Sequence, residues 1–252
     1  MSSILDKWDQ TNEKLYETGT DRVVLYKKIT TATTGYAIGD YGPGKPWNGF
    51  TGLSESPSGA EETALWANNN KYLSLYSREE FSGTLKAYTY PPEWEECDGS
   101  ATLSDDNNNP IPGVTVAQQT RTGFGLSYRT RVGNDTKYDD YGYKIHLVYG
   151  ATASPSSKDY QTINDSPEAI EFSWDFKTVP VDVPKAKPTS CLTIDATKLE
   201  DYQVAALEAV LYGTENDEPK LPLPAEVISI ISNATAPVGE PGLTGSAGST
   251  GN

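Results

Sequence analysis

Histidine is nearly missing from this 252-residue chain, which has only His146. One imidazole cannot make a two-histidine metal site. No serine on a sharp strand-to-helix turn accompanies it as a nucleophile, so His146, mid-strand by its neighbours, reads as structural or surface. Cysteine is scarce too. Cys97 and Cys191 are too few and too far apart for a disulfide framework or a thiolate metal site, and they read as free thiols in a reducing compartment. Basic residues number 20 against 35 acidic ones, a net charge of −15, which opposes any grip on nucleic acid. No apolar run approaches the roughly 18 residues that span a bilayer, so no membrane association is expected. The opening MSSILDKWDQTNEK lacks a basic start followed by an apolar run. No signal peptide is therefore expected, and the chain is read as a soluble cytoplasmic product. On that reading the N-x-S/T triplets at Asn134, Asn164 and Asn233 are chance.

Aromatic residues are plentiful, led by 16 tyrosines, which suit half-buried sheet surfaces where the ring packs and the hydroxyl stays wet. The stretch from Arg121 to Gly150 carries the clearest pattern. Phe124, Leu126, Tyr128, Thr130 and Val132 alternate with small or basic residues; Tyr143, Ile145, Leu147 and Tyr149 do the same further on. Period-two alternation predicts a long antiparallel hairpin, with a broad loop at residues 133–140. A third strand is expected over Glu168–Val179, with Ile170, Phe172, Trp174 and Phe176 on one face.

The rest of the chain divides around that core. Residues 1–20 read as a polar arm anchored by Leu5, Trp8 and Leu15, and Asp21–Thr30 as a first strand. The Gly-rich loop 31–60 holds Tyr36, Tyr41, Trp47 and Phe50; a loop that long with embedded aromatics is expected to pack on a partner. Glu61–Ala67, with acids in its first turn, reads as a short helix. Strands are expected at Lys71–Ser77, Phe81–Tyr90 and Gly113–Gln119. Thr178–Pro188 has three prolines and reads as an extended linker. A short strand at Cys191–Ile194 precedes a helix from about Lys198 to Tyr212, capped by Gly213, and a second helix starts at Pro222 or Pro224. Residues 233–252 carry glycine every third position for fewer than five triplets, too few for a triple helix, and read as a flexible tail. The fold class is mainly β: an antiparallel β-sandwich or barrel over 21–188 with one short helix, then residues 189–232 packing back on it.

Searching for chemistry yields no catalytic, cofactor-binding or metal-ligating set. Gly39-Asp-Tyr-Gly-Pro-Gly-Lys45 resembles the start of a phosphate loop, but Pro46 stands where a Ser or Thr must reach Mg²⁺. The pairs Asp105-Asp106 and Asp139-Asp140 are the sort of carboxylates that hydrolyse glycosides or bind Ca²⁺. Among 35 acids they read as solvated loop residues. The chain is therefore not expected to be an enzyme.

Several colinear blocks over residues 5–232 resemble the major tail tube protein of long, non-contractile-tailed bacteriophages. They are GAEETALWA (59–67), the strand 81–90 with the following PPEWEECDGSA, residues 118–149, INDSPEAIEFSWDFKTVPV (163–181), and 192–231 with its LEAVLYGTENDEPKLPLPAEVISII. That resemblance implies a β-sandwich or barrel with flanking helices, six copies to a ring, and rings stacked into a tube through which DNA passes unbound during ejection. It also implies location in the virion tail after assembly in the host cytoplasm. The implied partners are the chain itself, the tape measure, the tail terminator, and the distal tail or baseplate proteins. Assembly-interface candidates are Trp8, Tyr41, Trp47, Phe50, Arg129 and Arg131, the arginines being expected to pair between subunits. The main rival is a carbohydrate-binding β-sandwich that stacks sugars on Trp47 or Trp94; a glycosidase using two loop acids is a second.

Overall fold

The computed structural model describes residues 8–32, 35–107, 109–156, 158–163, 165 and 169–236. Leu5, Asn164, Glu168 and the tail from 237 onward lie outside them. In chain order the elements begin with strands β1 (Tyr16–Lys27), β2 (Lys45–Pro46), β3 (Phe50–Glu55), β4 (Glu62–Ala67), β5 (Asn70–Tyr76) and β6 (Ser82–Ala87). Helix α1 (Trp94–Asp98) follows, then β7 (Ala101–Ser104), β8 (Pro110–Val116), β9 (Phe124–Asn134), β10 (Tyr138–Ala153), β11 (Phe172–Thr178) and β12 (Cys191–Asp195). Helices α2 (Asp201–Tyr212) and α3 (Pro224–Asn233) close the described chain.

The main sheet runs β2-β1-β9-β10-β11-β6-β3 and is antiparallel throughout, with β12 also paired to β10. It folds over on itself. Val23 and Leu25 of β1, Phe124, Leu126 and Tyr128 of β9, and Val148 of β10 meet Leu85 of β6 and Trp174 and Phe176 of β11 in one core. The opposite face of β1, β9 and β10 is covered by the helices. There Val24, Tyr26, Ile145, Leu147 and Tyr149 pack on Leu207, Leu211 and Val227. The chain is thus a three-layer β-sandwich: the β3-β6-β11 sheet, the β1-β9-β10-β12 sheet, and a helical layer. Buried tyrosines fasten the third layer. Tyr26 donates to the Leu211 carbonyl at 2.6 Å and Tyr149 to that of Pro222 at 2.9 Å. These hydroxyls are dry and bonded, where wet ones were expected. Burial pushes both far above the usual phenol value.

β10 changes partner along its 16 residues. Lys144–Val148 pair with β12, whereas Ala151–Ala153 pair with β11. The change falls at Gly150, whose φ is +62°. A Cβ there would sit 2.1 Å from the Val179 carbonyl oxygen. Only glycine fits both the left-handed backbone and the close approach of that strand.

Several sequence expectations need correction. Glu61–Ala67 is no helix: β4 pairs with β5 as a hairpin. Asn68 and Asn69 connect them with φ of 50° and 60°, the double positive φ of a two-residue hairpin turn that asparagine tolerates. Seven residues without a covering core also give too little to nucleate a helix. Residues 16–20 belong to β1, paired to β9, and are not arm. Bulges at Thr18/Thr20 and Asp21/Val24 break the alternation that would have signalled the strand. The loop expected at 133–140 tightens to three residues, Asp135–Lys137, closed by the buried Asn134 side chain, which accepts from the backbone N–H groups of Thr136 and Lys137. Trp94–Asp98 forms α1 behind Glu93 as its N-cap, placing Trp94 and Cys97 in the core. The strand expected at Gly113–Gln119 is β8, which pairs with β7 away from the main sheet. The strand at Cys191, the helix ending at Tyr212 and the helix opening at Pro224 match their expectations closely. A short 3-10 turn at Ala196–Lys198 interrupts the entry to α2.

Replacing Gly150 by alanine is expected to cost at least about 2 kcal/mol, from the strained φ and the backbone clash together. Urea unfolding of Gly150→Ala against the parent measures it; an unchanged midpoint would mean that the partner switch does not depend on this glycine.

Candidate functional site

The Gly39–Lys45 loop spends its amides on its own protein: Gly39 donates to Ile29, Gly42 to Lys27 and Gly44 to Pro219, each at 2.8–2.9 Å. A phosphate cradle needs those donors free. Asp105 accepts from the Asn107 and Asn109 amides as a closed turn, and Asp139 accepts from Tyr16 at 3.1 Å. Cys97 and Cys191 are unbridged, and burial pushes their thiols up to about 12 and about 11. A cleft of about 670 Å³ between the end of the β9–β10 hairpin and α2 is lined by Arg129, Arg131, Asp139, Asp140, Asp201 and Glu208. It presents charges of both signs, and the Tyr143 hydroxyl on its wall donates to Glu208 at 3.0 Å.

His146 is held from every side. Its ring stacks on Tyr128, centroids 4.7 Å apart and planes nearly parallel. Nε2 meets the Thr130 hydroxyl at 2.9 Å and Nδ1 that of Thr193 at 3.2 Å. Tyr128 in turn donates to Glu55. Burial holds the imidazole below its ordinary value of 6.5, against the opposing influence of Glu55 and Glu17. The cluster ties β3, β9, β10 and β12 together, which is a structural role.

The interface candidates divide. Trp47 and Tyr41 lie inside their own fold, 4% and 6% exposed, so neither offers a surface to a neighbour. Trp47 packs against Trp94 and Trp174 at 4.7 and 5.9 Å and donates to the Thr89 carbonyl. Tyr41 Oη accepts from the Gly150 amide at 2.7 Å. The long loop turns inward at two places: Trp47 fills an aromatic-sized gap between the two sheets, and Tyr41 packs in the helix-facing core. Phe50 is half-buried, edge-on to Trp47 at 5.6 Å. Burial of Trp47 and Trp94 also removes the side chains on which a sugar was to stack. Trp8 alone of the four aromatics is open.

Arg129 and Arg131 both find acidic partners within the chain. Both share the helix-facing side of β9. Arg129, 12% exposed, binds both oxygens of Asp21 at 2.8 and 3.1 Å and reaches Glu208 of α2 at 3.4 Å. Its guanidinium lies 4.4 Å from the centre of the Tyr143 ring. Arg131 shares Asp21 at 3.3 Å but is half exposed. Hydrogen bonds from Arg129 hold the Asp21 carboxyl below its usual range, against the opposing effect of burial. This cluster clamps α2 to the sheet.

What the sequence did not announce is a pair of two-stranded hairpins, β4–β5 and β7–β8, neither joined to the main sheet. β4–β5 carries Leu65, Leu73 and Leu75 on one face, and Tyr72 and Tyr76 on the other, with Trp66 beyond a bulge. All are open; Trp66 is 70% and Tyr72 76% exposed. β7–β8 adds open Leu103, Ile111 and Val114. The signal was available: Glu61–Tyr76 reads ETALWANNNKYLSLY from Glu62, two β-prone runs around an asparagine turn. No family model and no curated protein matches this chain.

Two measurements test the clusters. Arg129→Ala should destabilise the fold by about 2 kcal/mol, less than the ~3–5 of a fully dry pair because water still reaches Asp21. For His146, a depressed folded value means that stability is intact above about 6.5 and falls as pH drops through the folded value, since the folded state resists protonation. His146→Gln should remove that part of the acid limb in denaturation curves taken between pH 7 and 5; an identical limb in the variant would assign it to other groups.

Proposed function

We propose that this protein is the repeating subunit of the tail tube of a long, non-contractile-tailed bacteriophage, self-assembling through its hairpins into a channel for DNA ejection. The supporting observation is the β4–β5 hairpin. A lone two-stranded hairpin is marginally stable in water, and this one presents large apolar side chains on both faces. At ~150–250 Å² per aromatic ring, of which Trp66, Tyr72 and Tyr76 leave 70%, 76% and 68% open, its three rings alone offer on the order of 400 Å², about half of what each partner buries in a standard interface. Such a surface on a separate molecule would be an aggregation hazard. In an ordered assembly it becomes the contact. The block resemblance supplies the kind of assembly, and a net charge of −15 suits a conduit that must not hold a polyanion.

Purified and concentrated protein should form rings or hollow tubes in negative-stain electron microscopy. The double variant Trp66→Lys/Leu75→Lys should stay monomeric in sedimentation with an unchanged melting profile, because both side chains are already open in the subunit. Tubes from the double variant would sink the hairpin as the contact; monodisperse parent protein at all concentrations would count against self-assembly.

A further inference from the structure

The turn between β2 and β3 contains Asn48-Gly49, and no other asparagine of the chain precedes a glycine. Glycine is required there. Its φ is +71°, and a Cβ would come within 2.7 Å of Thr89 Cγ2. Asparagine is not required. Asn48 is exposed, and among the described residues neither its carboxamide nor the Gly49 amide has a hydrogen-bond partner. Other asparagine side chains hold their turns: Asn134 accepts from Thr136 and Lys137, and Asn109 donates to Asp105. The residues on either side of Asn48 are fixed. The Trp47 amide donates to the Val23 carbonyl and its indole to that of Thr89, both at 2.9 Å. The Gly49 carbonyl accepts from Tyr88 at 2.8 Å, and Phe50 pairs with Ala87.

We propose that Asn48-Gly49 is a self-modification site, at which the folded chain converts asparagine to aspartate and isoaspartate without an enzyme. The Gly49 nitrogen gives its proton to solvent base and attacks Asn48 Cγ. A bond forms between that nitrogen and Cγ, the bond from Cγ to Nδ2 breaks, and ammonia leaves. Water then opens the five-membered imide at either carbonyl, so no oxidant or reductant is needed. A glycine in second place lacks the side chain that would crowd the attacking nitrogen. Here no hydrogen bond holds the carboxamide away or occupies the Gly49 N–H. The two products differ in consequence. Aspartate keeps the backbone and adds a negative charge to the groove that Asn48 shares with Lys45 and Glu93, a pair 3.5 Å apart. Isoaspartate routes the main chain through the side-chain carbon and adds one methylene between Trp47 and Gly49. Trp47 is locked in the core, so β3 must give. It is the last strand of the sheet, held by β6 alone among the described residues, and a strand so held opens at low cost. Nothing in this chemistry needs a second copy, so it proceeds in the free subunit whether or not tubes form.

Purified protein aged in mildly alkaline buffer, folded and in urea, tests the site by peptide mass analysis. The folded chain should gain one mass unit in the peptide carrying Asn48, faster as pH rises. Part of that product should be labelled by an isoaspartyl methyltransferase. Asn48→Gln, which would have to close a larger ring, should gain neither the mass nor the label. It changes an exposed side chain and should keep the parent melting profile. Conversion in urea but not in the folded chain would mean that the turn protects the asparagine, and conversion in neither would mean that the pair is inert; both overturn the proposal. In the isolated isoaspartate form the Tyr88 amide should exchange about tenfold faster, having lost its bond to Gly49. An unchanged Tyr88 rate would overturn the release of β3.

Discussion

Strands β1, β9 and β10 are buried on both faces, and the rest of the chain is arranged around that demand. Leu25 and Tyr26 are neighbours in sequence, yet one completes the inter-sheet core and the other the helix-facing core, both with no exposure at all. One sheet cannot satisfy this by itself. The far side of the fold supplies a second sheet, reached by the turn in β10 at Gly150. The C-terminal segment supplies helices, held by tyrosine hydroxyls that bond helix-layer carbonyls and by the Arg129 clamp. Burial gives the helical layer its stability, while these polar ties fix its position over the sheet. The aromatic cluster of Trp47, Trp94 and Trp174 follows from the same demand. Its rings meet edge-on or tilted at 4.7–5.9 Å. The indole N–H groups of Trp94 and Trp174 have no hydrogen-bond partner among the described residues, a cost accepted where ring packing dominates.

Legibility in the sequence followed periodicity. The β9–β10 hairpin was readable because Phe124–Val132 and Tyr143–Tyr149 alternate over many residues. The α2 stop at Gly213 and the α3 start at Pro224 were readable because those residues act locally. Where the physics is non-local, the reading failed. Trp47 and Tyr41 sit among glycines with no pattern, and only the gap between the sheets for one and the helix-facing core for the other decide that they turn inward. The partners of Arg129 and Arg131 within the chain could not be read, because Asp21 and Glu208 are distant in sequence and arrive through strand register and helix packing. β4 was mistaken for a helix because Glu61 and Glu62 imitate a helix first turn, whereas Asn68-Asn69 sets the hairpin through two left-handed residues. The hairpins were also missed as contact surfaces, since exposure is a property of the whole fold and no short window reports it.

Charge and apolar area pull in opposite directions in the proposed assembly, and their separation on this molecule is what lets them coexist. Fifteen excess negative charges per copy oppose bringing copies together, a repulsion that salt screens beyond a Debye length of about 8–10 Å. The apolar hairpin side chains supply attraction at short range, where screening is irrelevant and burial is insensitive to charge elsewhere.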